Sequence, residues 1–342
     1  MRLTGPQATV GLLLFLTAGC GADSSGPGAG PTPDTPSEGL WTASGAPSAV
    51  LRLSPDQLLN SGNPIPATTI TTPSANLGEP GGIAFDTDGT MWLASSTDQV
   101  LIALAPSSVA TTGSVTAKTV IRSNGTSLAE PAGIAFDRDH NLWVSNPGRG
   151  TVVRFDRAQL AASGAPVPTV VLSGLGLPFG LAFDASGALW VTDPNASTIV
   201  KFTPEQLAVS GSPTPAVVLT ANDHSLQHPG FPAFDEAGNL WVPNFANGTI
   251  VAFAPAQLAA SGSPGPPIAL STNVLFQAPV AVAFDADGSM WVVNFGIAML
   301  VKFDRAALAA SGHPAPSVSI GFTNQLVLGL AFWPKPAGLP LN

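Results

Sequence analysis

The stretch GIAFDTDGTMWLAS (82–95) returns as GIAFDRDHNLWVSN (133–146), GLAFDASGALWVTD (180–193), FPAFDEAGNLWVPN (231–244) and AVAFDADGSMWVVN (281–294). This repetition constrains the fold more than any other feature, because a unit too small to bury its own apolar face must stack on copies of itself. Each copy continues into an apolar run such as TVVRF (151–155) or TIVKF (198–202), then into a segment such as DRAQLAASGAPVPTVVL (156–172). The unit reads as four short strands. The first, third and fourth are β-branched or aromatic runs and the second carries a tryptophan. The Asp-x-x-Gly sequences between first and second read as tight hairpin turns.

The chain ends supply a sixth unit. Residues 40–70 match strands two to four but lack a first, and GLAFWP (329–334) provides only a first. Placed together they make one blade from both ends, which closes a ring without leaving sheet edges exposed. The expected fold is all-β: a six-bladed β-propeller of four-stranded blades over residues 39–336, its ring closed by a composite blade from the N- and C-terminal segments. A stacked solenoid would need atypical capping repeats at both ends, and the sequence shows none. Composition agrees, since only 10% of residues are charged while Gly and Pro together number 70. That suits many short strands and tight turns rather than a helical bundle. Trp41, Trp92, Trp143, Trp190, Trp241 and Trp291 fall at one strand position per blade and are expected to pack between blades. The recurring helix-like piece, such as TPEQLAVSG (203–211), is expected to buttress the lower rim.

The Gly-x-Ala-Phe-Asp and Asp-Gly-x-Leu-Trp-Val phrases resemble NHL-type repeats and, more broadly, the SMP-30/gluconolactonase-like and streptogramin-lyase-like propellers, over residues 40–334. The resemblance implies a frame that hosts enzymes, binders and scaffolds alike. For SMP-30-like lactonases it also implies metal-binding Asn and Asp just after the proline that opens each inner strand. Gly81, Ala132, Phe179, Gly230, Val280 and Leu328 stand at those positions here, and none can ligate through its side chain. Nucleophile-elbow, zinc-protease, Walker and dinucleotide fingerprints are absent from the sequence.

After Arg2, VGLLLFLTAGC (10–20) is an apolar run too short to span a bilayer, ending in small residues before Cys20, the single cysteine. It resembles the bacterial lipobox, with Leu16 one place further back than the commonest pattern. The resemblance implies a signal peptide at 1–19 and lipidation of Cys20. One cysteine allows neither an intramolecular disulfide nor a cysteine-based zinc site. Residues 20–38 are rich in Gly, Pro and Ser and read as a flexible tether, and 337–342 as a short tail. The expected location is the cell envelope, lipid-anchored, in the outer membrane where the organism has one, facing periplasm or exterior. A net charge of −9, with 12 scattered Lys and Arg, points away from nucleic acid. A monomer is expected.

Function is sought where the repeats disagree. From the last strand of one blade to the proline opening the next, the chain takes ten residues from Ile70 to Pro80 and ten from Ile121 to Pro131. It takes six from Leu172 to Pro178, ten from Leu219 to Pro229 and nine from Leu270 to Pro279. These outer-to-inner connectors hold all the length variation, so the face that carries them, the upper mouth, is the candidate functional face. Three residues after each tryptophan stand Ser44, Ser95, Asn146, Asp193, Asn244 and Asn294, which six-fold geometry would set in a ring. Such a ring could meet a hydroxyl-rich ligand or a divalent cation, calcium or magnesium, or each member could make a local turn. Glu79, Glu130 and His228 each precede a connector's proline, with His224 four residues before His228. Asp193, His224 and His228 are the candidate metal ligands, although no cofactor is firmly implied. The leading expectation is a non-catalytic module that binds a small molecule or an envelope or extracellular protein. The alternative is a metal-dependent hydrolase or lyase at the same mouth.

Overall fold

The computed structural model describes residues 36–72, 77–221, 223–271, 276–323 and 325–339. Six antiparallel four-stranded blades stand in a ring. Blade 1 is the expected composite: Val327–Trp333 is its innermost strand and pairs with Gly39–Gly45, followed outward by Ser48–Leu53 and Thr68–Thr71. Blades 2 to 6 open with inner strands Pro80–Phe85, Ile134–Phe136, Leu181–Phe183, Ala233–Phe234 and Pro279–Phe284. In blades 2 to 6 the inner strand runs from the upper face down to an Asp-x-x-Gly turn on the lower face, Asp-x-x-His in blade 3. The signal peptide and most of the tether lie outside the described residues. At the tether's end, Ser37 and Glu38 are tied to blade 1: their carbonyls accept from Trp41 Nε1 and the Arg52 guanidinium.

The lower turns are built alike. Asp86 accepts the amides of Asp88 and Thr90 on one carboxylate oxygen, and Asp137, Asp184 and Asp285 repeat this pattern. The fourth turn residue must be left-handed to return the strand with the right twist. It is Gly89, Gly187, Gly238 and Gly288 at φ of 76, 85, 79 and 73°, with His140 at 61° standing in for glycine in blade 3. The second carboxylate oxygen accepts from the indole N–H of Trp143, Trp190, Trp241 and Trp291 at 2.8–3.1 Å. Arg154, Lys201 and Lys302 lie 5.2–5.8 Å from the ring centres of the tryptophans in their blades.

These tryptophans are core, as their spacing predicts. All six blade tryptophans are buried. Trp41, Trp143, Trp190 and Trp241 each meet the inner-strand phenylalanine of the next blade (Phe85, Phe183, Phe234, Phe284) edge-on, with centroids 6.0–6.3 Å apart. That geometry suits the quadrupoles of both rings and makes the residue a wedge between blades.

The helix-like pieces are single 3-10 turns, such as Pro55–Leu59 and Arg157–Leu160, too short to be a packed layer. In four of them a glutamine holds the spacer that follows: Gln57, Gln159, Gln206 and Gln257 donate to the carbonyls of Ile65, Val167, Thr214 and Gly265. The Ser-Gly beyond it then crosses to the outer strand of the preceding blade. Gly164, Gly211, Gly262 and Gly312 bridge to Ile121, Leu172, Leu219 and Leu270 in parallel, and Gly62 of blade 1 bridges to Ile320 of blade 6. The ring is thus closed twice, by the shared sheet near the axis and by this latch at the rim.

Candidate functional site

At the upper end of the inner strands the blades approach through backbone. Gly82 donates its N–H to the Ala132 carbonyl at 2.8 Å, and Phe231 donates to Val280 at 2.8 Å. A Cβ on Gly133 or Gly180 would stand 2.3 Å from the Phe179 carbonyl oxygen or 2.4 Å from that of Gly230, so only glycine permits the approach. Hydroxyls two residues after the tryptophans complete these links. Ser145 Oγ donates to the Phe179 carbonyl at 2.6 Å and Thr192 Oγ1 to that of Gly230 at 2.9 Å, each joining one blade to the next.

Four of the six residues of the expected ring turn toward their own connectors. Asn146 Oδ1 accepts the Ala129 amide and its Nδ2 donates to the Ser127 carbonyl; Asn244 does the same with Gln227 and Ser225. Asp193 accepts the Leu177 amide at 3.0 Å and the Ala196 amide at 2.9 Å. Ser95 Oγ donates to the Gly78 carbonyl at 2.7 Å, helped by Asp98, whose carboxylate accepts the Gly78 amide at 2.7 Å. Ser44 Oγ and both polar atoms of Asn294 are buried without a hydrogen bond, and the connector preceding Asn294 includes residues 272–275, outside the described residues. The other four clamp connector backbone, a task Ser, Asn and Asp share because each can match amide and carbonyl groups locally.

Glu79, Glu130 and His228 are exposed, and each is in the left-handed region, at φ of 45, 52 and 50°. Ala278 holds the same place in blade 6 at 55°. The shared conformation lets the carbonyls of Glu79, His228 and Ala278 accept the amides of Ser96, Phe245 and Phe295. Position before proline therefore marks a backbone corner. Glu79 takes one side-chain hydrogen bond, from Thr97 at 3.2 Å, and His224, also exposed and left-handed at 62°, offers its carbonyl to Asn247. Among the described residues no three His, Cys, Asp or Glu stand close enough together to hold one metal ion.

What the structure gathers at the mouth is aromatic. Phe179 and Phe231, one residue beyond the opening prolines or nearly so, stack with centroids 4.6 Å apart. Phe295 packs in the same cluster, and Phe245, 40% exposed, reaches it at 6.1 Å. Sequence reasoning passed over Phe245 and Phe295. The signal was available, since they directly follow Asn244 and Asn294 where other blades carry Gly45, Ser96, Pro147 and Pro194. A second feature lies on the axis below: a cavity of about 110 Å³ among the inner strands of all six blades, floored by Lys335, Pro336 and Leu339 of the C-terminal segment.

With this geometry the class of the protein is clear: it is a six-bladed β-propeller with lower turns of one recurring design and upper connectors of variable length. Solved propellers share the frame. A protein in a nidogen/laminin complex is 18% identical, with 85% of this chain and 96% of that one covered and a TM-score of 0.58. A provisionally named 6-phosphogluconolactonase from Bacteroides fragilis is 13% identical, with 85% and 82% covered and a TM-score of 0.55. A catalytically inactive virginiamycin B lyase from Staphylococcus aureus, solved with quinupristin, is 13% identical, with 66% and 67% covered and a TM-score of 0.50. No family model matches the chain, and no curated protein matches it. The shared property is the fold. No helix among the described residues is long and apolar enough to cross a membrane.

Proposed function

We propose that the protein is an envelope lipoprotein, anchored through Cys20, whose propeller is a non-catalytic module that binds a protein partner across its upper face. One observation carries this reading. The mouth's polar residues Ser95, Asn146, Asp193 and Asn244 are spent on holding connector backbone, while two phenylalanine pairs, Phe179 with Phe231 and Phe245 with Phe295, stand on blades 4 to 6. Aromatic side chains on a rigid frame bury much area while losing little conformational freedom, which is why they dominate protein recognition. Residues 20–36 would let the domain stand up to roughly 60 Å from the lipid when fully extended.

A photo-crosslinking side chain placed at Phe245 in cells, with a second variant at Arg157 on the lower face, tests the reading. A discrete protein adduct at 245, weakened by Phe295→Ser and missing at 157, is the expected result. Equal adducts on both faces, or none at 245, would overturn it. Turnover in a lactone or ester screen that disappears with Asp193→Ala or His228→Ala would establish the hydrolase instead. Labelled fatty acid is expected to enter the wild type and not Cys20→Ala.

A further inference from the structure

Blade 2 departs from the frame at one atom. In blades 3 to 6 the turn aspartate holds the indole N–H of its own tryptophan, and in blade 1 the Ser37 carbonyl accepts it. Trp92 is 3% exposed, and its Nε1 is buried without a hydrogen bond. Asp86 accepts the amides of Asp88 and Thr90 at 3.0 and 2.9 Å but does not reach this indole. A buried donor without an acceptor has given up its hydration for nothing, so such a group calls for a partner. Trp92 lies on the wall of a hollow of about 280 Å³ between blades 2 and 3 at the lower face. Asp86, Asp88, Thr90, Lys118 and Arg157 supply much of its polar lining, His140 is the fifth titratable group, and Phe136 and Leu160 form an apolar side. The hollow itself belongs to the frame. Its counterpart between blades 5 and 6, about 340 Å³, is lined by Asp235, Trp241, Phe284, Arg305 and Leu308 at the matching positions. There Asp235 takes the Trp241 N–H at 2.8 Å, although Ala252 faces Trp241 just as Ala103 faces Trp92. Loss of the third-strand cation therefore does not by itself free the indole. What blade 2 adds is Lys118, from the segment leading to its outer strand, which lines the hollow and donates to Thr90 Oγ1 at 3.2 Å.

We propose that this hollow binds a single sugar ring or a similar small polyol, one of whose hydroxyl oxygens supplies the acceptor that Trp92 lacks. Three observations set that class. The charges already balance, Asp86 and Asp88 against Lys118 and Arg157, with Arg157 and Asp88 3.6 Å apart, so a net ion gains little there. What is left over is directional hydrogen bonding. The indole N–H and the Lys118 ammonium donate, the carboxylates accept, and a hydroxyl is the group that does both. The volume lies just under the roughly 300 Å³ at which pockets for drug-sized ligands begin, so one ring fits better than a chain, and its C–H face can pack on the apolar side. The site is on the opposite face from the aromatic mouth and does not depend on what binds there.

In the full mature protein carrying ¹⁵N-labelled tryptophan, the seven indole N–H signals are separate reporters, and Trp92→Phe identifies the one from blade 2. Titration with glucose, galactose, mannose and myo-inositol is expected to move that signal saturably with at least one of them and to leave the Trp241 signal in place. Trp92→Phe, which keeps an aromatic ring but no N–H, is expected to weaken binding of that sugar roughly tenfold in calorimetry. Lys118→Met, a change that leaves the tryptophan packing intact, is expected to do the same, while Arg305→Met in the counterpart hollow changes nothing. No saturable shift with any of the four, equal movement of the Trp241 signal, or wild-type affinity in Lys118→Met would overturn the proposal. Acetate or glycine moving the Trp92 signal where the sugars do not would refute it equally, by assigning the hollow to an ion.

Discussion

The two ends of this propeller solve the same problem, joining adjacent strands, in opposite ways. At the lower end one carboxylate does the whole task. Asp184 binds the amides of its own turn, the indole of Trp190 and the ammonium of Lys201. Asp137, Asp235 and Asp285 repeat most of that set. At the upper end the same clamping role passes to whichever residue ends the second strand: Ser95 with Asp98, Asn146, Asp193 or Asn244. The lower turns can be standardised because their length never changes, so one geometry serves. Connectors of different length present their amides and carbonyls at different places, and each needs its own acceptor and donor. The difference teaches that a frame and a variable face can coexist when the frame's hydrogen bonds are local in sequence.

The comparison can be broken first at the axis, which both ends depend on. Gly180→Val would put a branched side chain against the Gly230 carbonyl and Pro232 Cδ, 2.4 and 2.6 Å from the new Cβ. It is expected to cost more than about 4 kcal/mol or to prevent folding, read by circular dichroism and thermal melting. A variant melting within a few degrees of wild type would mean that the inner strands are not drawn together this closely.

Asp184→Ala attacks the lower end alone. It is expected to cost about 3 kcal/mol, because a half-buried carboxylate with several donors is removed and Lys201 loses its partner, lowering Tm by roughly 5–10 °C. Burial works against ionisation of this carboxyl, but the hydrogen bonds from Ser186, Trp190, the Ala188 amide and Lys201 outweigh it and hold its pKa below the ordinary 3.8. A lowered folded pKa makes the contribution complete above 3.8 and lost as pH falls through the folded value. The gap in Tm between wild type and variant should therefore narrow in acid and stay constant near neutrality.

Asp193→Ala is the upper counterpart and is expected to cost less, about 1–2 kcal/mol, with faster hydrogen exchange confined to the Leu177 and Ala196 amides. Exchange that rises across all of blade 4 would show that the upper clamp is as integral as the lower one. Ala278→Gly should act in the other direction, stabilising by about 0.5–1 kcal/mol in denaturant titration, since a left-handed φ of 55° strains alanine and not glycine. Smallest in stability is Phe245→Ser, expected within about 0.5 kcal/mol of wild type for a side chain 40% exposed. Its effect belongs to binding, as loss of the upper-face crosslink with folding intact.

Much of the frame was legible because repetition turns one weak local signal into six. Trp190 alone says little about packing, whereas a tryptophan in the same strand place of each unit must face the same neighbour. The composite blade was legible for a like reason, since residues 40–70 lack what 329–334 supply. The site was less so. Asn146 and Asn244 were correctly placed at strand ends, but whether a side chain turns toward the axis or back to its connector depends on where the connector's amides lie, and sequence spacing does not contain that. Glu79 and His228 stand out as chemistry in a sequence and prove to occupy backbone corners.

By itself the sequence determined the blade count, the wedge tryptophans, the aspartate turns and the place where lengths vary. Apart from the blade shared by the two chain ends, these follow from residues within about fifty positions of one another, repeated until chance is excluded. Only the tertiary structure decided that Phe179 meets Phe231, that Phe245 meets Phe295 and that Lys335 lies beneath the inner strands of six blades. Those residues meet across the ring, and closing it brings together side chains that no local pattern relates.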